Sequence, residues 1–106
     1  STTYTMLIYN GTNQVAHNIQ EDWLNWMKTE HIPEVLATGM FTHHRLVKLL
    51  ETDETDGLTY AIQYFCNTRE QYEQYINNYA PALRQKALDR WGAQFIAFRT
   101  LMEVIN

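Results

Sequence analysis

With 106 residues, 45% of them hydrophobic and 19% charged, the chain is sized for one domain over 1–106 and excludes a multidomain enzyme. Eight Lys and Arg against twelve Asp and Glu give a formal charge of −4 with no basic run, which excludes general nucleic-acid binding, because phosphate neutralisation needs clustered cations. A single cysteine excludes a disulfide framework within the chain, and no apolar stretch is long enough to span a bilayer, so the sequence predicts a soluble, cytoplasmic domain with no membrane partner.

Tyr4 to Asn10 reads as a first strand, apolar on both faces at Met6 to Tyr9 and punctuated by Asn10-Gly11. Asn18 then offers an N-cap with Glu21 completing a capping box, and Ile19, Trp23, Trp26 and Met27 form the stripe of an amphipathic helix. His31-Ile32-Pro33 is expected to interrupt that helix, with Glu34 to Thr38 restarting as a short turn. Phe41 to Leu50 and Leu58 to Cys66 form a hairpin around the Asp56-Gly57 turn signal. Setting Leu50 against Leu58 puts Arg45 opposite Gln63. Asn67 or Thr68 caps a second helix, whose apolar stripe is Tyr72, Tyr75, Ile76 and Tyr79. Ala80-Pro81 kinks or breaks it, Leu83, Ala87, Leu88 and Trp91 continue an apolar face to a C-cap at Gly92, and Gln94 to Ile105 is the last strand.

The order βαββαβ predicts an α+β, ferredoxin-like fold: a four-stranded antiparallel sheet with two helices on one face. Both faces of Leu58 to Cys66 and of Phe95 to Met102 carry large apolar groups, although two helices cover only one side. A second copy packed sheet to sheet is the economical cover, so a homodimer is expected.

The chemistry-bearing candidates follow from strand parity. Arg45, Gln63 and Arg99 occupy odd positions and read as one polar cluster, with Phe41, His43, Val47, Phe65, Ala97 and Leu101 as its apolar lining. Guanidinium forks in a partly apolar cavity suit a small anionic ligand, and Arg45, Gln63, Arg99, His43 and Trp26 are the candidate ligand contacts. The alternative is an ion-pair network between Arg99 and Glu103, which share parity. His43 and His44 point to opposite faces, so they make no tandem site. His17, His31 and the acidic turn at 53–57 lack metal-ligand spacing, so no metal is expected. His31, at the end of the tryptophan helix, is the candidate acid/base, with capping of helix carbonyls as its other role. Cys66 reads as a buried structural thiol, and Tyr72, Tyr75 and Tyr79 as core.

The helix Trp23-Leu24-Asn25-Trp26-Met27 followed by His31-Ile32-Pro33 resembles the aromatic-x-x-aromatic helix ending in His-x-Pro of dimeric α+β barrel proteins, including the EthD-like group. Thr38-Gly39, Phe41, Arg45, Thr59-Tyr60-Ala61, Gln63-Tyr64-Phe65, Ala80-Pro81-Ala82-Leu83-Arg84 and Phe98-Arg99-Thr100-Leu101-Met102-Glu103 extend the likeness nearly end to end. Over that span the chain is similar to a small bacterial family, a domain of unknown function in the same superfamily. The resemblance implies a homodimer whose sheets form a barrel, with a pocket between sheet and helices or inside the barrel, and it implies no established reaction. Related members include cofactor-free oxygenases, lactone isomerases, polyketide cyclases and haem degraders. The haem-degrading pattern is poorly met, since the second helix offers no His and Tyr60 and Tyr64 stand where a Trp is wanted, so no cofactor is expected. Three readings follow: a protein binding a small anionic or aromatic molecule, a cofactor-independent enzyme of oxygenase, isomerase or cyclase type on an acidic or enolisable substrate, and a structural dimer without a ligand.

Overall fold

The structure is a computed structural model and describes residues 5–106. Its elements run β1 (Leu7–Val15), a 3-10 turn (His17–Ile19), α1 (Gln20–Trp26), a π turn (Met27–His31), α2 (Ile32–Ala37), β2 (His43–Lys48), β3 (Leu58–Cys66), α3 (Arg69–Asn78), α4 (Ala80–Trp91), a second 3-10 turn (Gly92–Gln94) and β4 (Phe95–Glu103). Strand order β2-β3-β1-β4, antiparallel throughout, makes the fold ferredoxin-like α+β. No helix among the described residues is long and apolar enough to cross a membrane.

Tyr4, where the first strand was expected to begin, lies outside the described residues. Asn10-Gly11 does not end that strand. β1 is central and pairs along its whole length with β3 and β4. Two ladders of hydrogen bonds outweigh the ~0.5–1 kcal/mol that a strand-interior glycine costs. The β2–β3 register sets Arg45 against Gln63, as the turn signal required.

Parity along these ladders sorts the side chains. One face carries Leu7, Tyr9, Val15, Tyr60, Ile62, Tyr64 and Cys66, which pack with Trp23, Met27, Val35, Tyr75, Leu83 and Trp91 of the helical layer as the core. Burial pushes the Cys66 thiol up, consistent with a structural role. The other face meets no helix. Across it run transverse rows: His43, Phe65, Ile8 and Met102, then Arg45, Gln63, Asn10 and Thr100, then Val47, Ala61, Thr12 and Phe98. Phe98 and Ile96 on β4 remain 66% and 55% exposed.

The second helical segment follows expectation and the first departs from it. Thr68 caps α3, its hydroxyl accepting from the Gln71 backbone at 3.2 Å, and the chain breaks at Tyr79 before Pro81, as expected. Asn18, by contrast, caps nothing. Its amide donates to Gln94 Oε1 at 3.3 Å. His31-Ile32-Pro33 does not stop the first helix either: helical backbone runs from Gln20 to Ala37, and the disturbance is absorbed in the π turn. Pro33 has no N–H, so the Thr29 carbonyl loses its α-helical partner, and widening the turn just before the proline carries the helix past that defect.

Candidate functional site

A cavity of about 70 Å³ lies between the sheet and the helices. Tyr9, Gly11 and Asn13 of β1 with Ile62 and Tyr64 of β3 form its floor, and Gly11 contributes by omission. A Cβ there would meet only Asn13 Nδ2, at 3.8 Å. Trp23, Trp26 and His31 close one side, α4 contributes Leu83 and Arg84, and Arg99 enters from β4.

The π turn determines how His31 sits. It stands five positions after Trp26, which in an α-helix would set the two rings roughly 140° apart. The wider turn brings them into a stack with centroids 4.9 Å apart and planes at 24°. Burial then pushes the His31 pKa down from 6.5 to about 4, with Glu34 opposing and Arg99 and Lys86 adding to the shift. Lys86 and Glu34 are themselves paired at 2.8 Å. The imidazole is therefore neutral at neutral pH. An unfolded chain takes up this proton near pH 6.5 whereas the folded one resists until about 4, so the contribution is complete above the higher value and is lost as pH falls toward the lower. The shift is worth on the order of 3 kcal/mol. His31→Gln is expected to flatten the acid limb of the melting-temperature profile between pH 6.5 and 4. Parallel acid limbs in the two proteins would rule the ring out as its source.

Charge in the cavity is one-sided. Arg84 and Arg99 both line it, and among the described residues no Asp or Glu does. The ion pairs of the described residues are Arg69 with Glu73 and Lys86 with Glu34, so Arg99 is not satisfied by Glu103 and the expected network between them is absent. Arg84 donates through Nη2 to the Tyr9 hydroxyl at 3.0 Å, while its Nε is buried without a partner. The Tyr64 hydroxyl is likewise buried and unpartnered, and burial raises its pKa, so it persists as an O–H donor.

The expected polar cluster divides. Arg45, Gln63 and His43 share the helix-free face, where the His43 ring stacks on Phe65 at 4.2 Å, with Val47 beside them. Arg99 does not join them. Asn10 pairs with Gln63 and Thr100, and Gly11 pairs with Arg99, which puts Arg99, Ala97 and Leu101 on the helix side. Phe41 also packs on that side, against Tyr9, Tyr64 and Tyr75. Of the sequence candidates, the fold thus gathers His31, Trp26 and Arg99 at one cavity and leaves Arg45, Gln63 and His43 across the sheet. Arg84 and Tyr64 escaped the sequence reading. Arg84 had a signal: Ala80, Leu83, Arg84, Ala87 and Trp91 follow helical spacing, and a cation inside an apolar stripe is directed inward.

Comparison with known proteins gives a family and a fold. A family model described as a domain of unknown function, DUF4286, matches residues 6–105. No curated protein matches the chain. Among solved structures, an ethyl tert-butyl ether D (EthD) family protein from Bacillus halodurans aligns with a TM-score of 0.74 at 9% identity, covering 94% of this chain and 99% of that one. SnoaB, a cofactor-independent oxygenase from Streptomyces nogalater, aligns at 0.67 and 13% identity over 95% and 94% of the two chains. A dimeric ferredoxin-like protein from an uncultured marine organism aligns at 0.64 and 10% identity over 98% of each.

Proposed function

The chain belongs to the DUF4286 family, and we propose that it works as a homodimer, sheet packed on sheet, each protomer binding a small anionic molecule in the cavity between its sheet and helices. One observation carries the binding reading: two guanidiniums, Arg84 and Arg99, line a partly apolar cavity with no acidic side chain among the described residues, in a chain whose formal charge is −4. Arg84 is partly buried, with its Nε unpartnered, and Arg99 is exposed, so an anion that answers both gains most at the less solvated Arg84. The dimer reading is supported by the uncovered apolar rows of the sheet and by a structural neighbour described as dimeric.

Charge removal tests the site. The double variant Arg84→Gln, Arg99→Gln is expected to lose at least ~100-fold in affinity for a small anion, since hydrogen bonds to charged groups contribute ~1.5–3 kcal/mol each. Native mass spectrometry of both proteins from the same lysate is the readout. Mass beyond two chains in wild type, missing from the variant, supports the reading. Bare dimers in both, with no thermal shift on adding carboxylates or phosphate, overturn it.

His31 favours a second reading of the same cavity, a cofactor-independent enzyme acting on an acidic or enolisable substrate. A neutral imidazole beside Arg99 can accept a proton while the guanidinium holds the oxyanion that forms.

A further inference from the structure

We propose that Gly11 is the residue that shapes the ligand site: the side chain missing there is the seat of the ligand's apolar part, and the cavity takes small organic anions and ranks them by the hydrocarbon they bring. The inference rests on the anion reading given above and adds its selectivity.

Nothing in the backbone calls for glycine at this position. Gly39, Gly57 and Gly92 hold positive φ, whereas Gly11 lies in the regular pairing of β1, opposite Ile62 on one ladder and Arg99 on the other. Beyond its chain neighbours, a Cβ on Gly11 would find one atom within 4 Å, Asn13 Nδ2 at 3.8 Å, which is ordinary van der Waals contact. The strand therefore accepts a side chain here, and a β-branched one would strengthen it. A strand-interior glycine that is neither strained nor crowded lowers stability and satisfies no need of the fold. What the omission leaves is open space in the cavity floor, where an occupant can approach the backbone closely.

The register sets what surrounds that space. Facing Cβ positions on neighbouring strands stand about 4.5–5.5 Å apart, so the seat is bounded by Ile62 across one ladder and Arg99 across the other, with Tyr9 and Asn13 two places away along β1. All four line the cavity. Ile62 and Tyr9 are buried, so one side of the seat is apolar, and the cation Arg99 stands on the other. Asn13 is held out of the gap by its own bond, Nδ2 donating to the Gly11 carbonyl at 3.2 Å. An occupant with hydrocarbon toward Ile62 and an anionic group toward Arg99 matches both sides. An inorganic ion would leave the apolar side unfilled. The cavity is about 70 Å³, roughly the liquid volume of two water molecules, so one added side chain decides how much of it remains.

The test titrates formate, acetate and propionate at neutral pH and constant ionic strength into wild type, Gly11→Ala and Gly11→Val, read by amide chemical shifts. Each added carbon that is buried contributes about fourfold in affinity, so propionate is expected to bind wild type at least ~10-fold more tightly than formate. That preference should fall to about fourfold in Gly11→Ala and vanish in Gly11→Val. Both ligand-free variants should melt above wild type, Gly11→Ala by roughly 2–8 °C, which separates a filled seat from a damaged fold. A wild type that binds all three acids alike, an undiminished preference in Gly11→Val, or a lower melting temperature for Gly11→Ala overturns the role of Gly11 while leaving the anion reading intact. If none of the acids moves a cavity resonance in wild type, the anion reading falls and this inference with it.

Discussion

Gly57→Ala is expected to remove about 3 kcal/mol or more of folding stability, the largest single-residue effect anticipated in this chain. A Cβ on Gly57 would stand 2.2 Å from the Val15 carbonyl oxygen and 2.7 Å from its carbon. These are backbone atoms of the central strand, fixed by the pairing of Val15 with Leu58 and with Phe95, so neither can move aside without opening a ladder. The residue also holds φ at +157°, which L side chains seldom adopt. A domain of this size has roughly 5–15 kcal/mol in total, so the variant would fall by roughly 15 °C in melting temperature. Gly39→Ala is the control. Its φ is positive too, but a Cβ there meets nothing within 4 Å, and a loss near ~1 kcal/mol is expected. Equal melting temperatures for the two variants would dispose of the steric argument.

Phe98→Asp is expected to convert the proposed homodimer to monomers at micromolar concentration, raising the dissociation constant by ~100-fold or more. In the single chain Phe98 is 66% exposed, so the substitution costs the protomer's own core almost nothing. In a sheet-on-sheet dimer the same position brings a carboxylate into an apolar interface, next to the row of Val47, Ala61 and Thr12. Sedimentation velocity separates the outcomes. A dimeric variant would remove β4 from the interface, and a monomeric wild type would end the sheet-face reading altogether. Where the monomer survives, anion binding by Arg84 and Arg99 should persist, because they lie on the opposite side of the sheet.

How far the sequence could be read depended on what connected the strands. β2 and β3 are joined by a turn with a glycine signal, so their register followed from that turn and Arg45 fell opposite Gln63. β1 and β3 are separated by the helical segment Gln20 to Ala37 and a whole strand, and no local signal measures their offset. That offset pairs even residues with odd, as Asn10 with Gln63, whereas β1 with β4 pairs odd with odd, as Gly11 with Arg99. One parity change was enough to move Arg99 through the sheet, away from Arg45 and toward His31. Asn10-Gly11 misled for a related reason, since turn chemistry is a local preference and the two ladders on β1 are not. Arg84 was legible as a charge in an apolar stripe. Tyr64 was not, because a strand tyrosine looks the same whether its hydroxyl reaches solvent or ends orphaned.

The π turn gives the stack of Trp26 on His31 an unusual kind of inheritance. Lys28, Thr29 and Glu30 are exposed, and their side chains set neither ring. What sets both is the width of the turn between them and the proline that follows. Point substitutions in this stretch leave the cavity wall standing, and deleting a single residue restores an ordinary helix in which the two rings stand four positions and roughly 40° apart, still on one face. For this wall the π turn is the form a one-residue insertion takes within a helix, absorbing the extra residue while the imidazole stays over the indole.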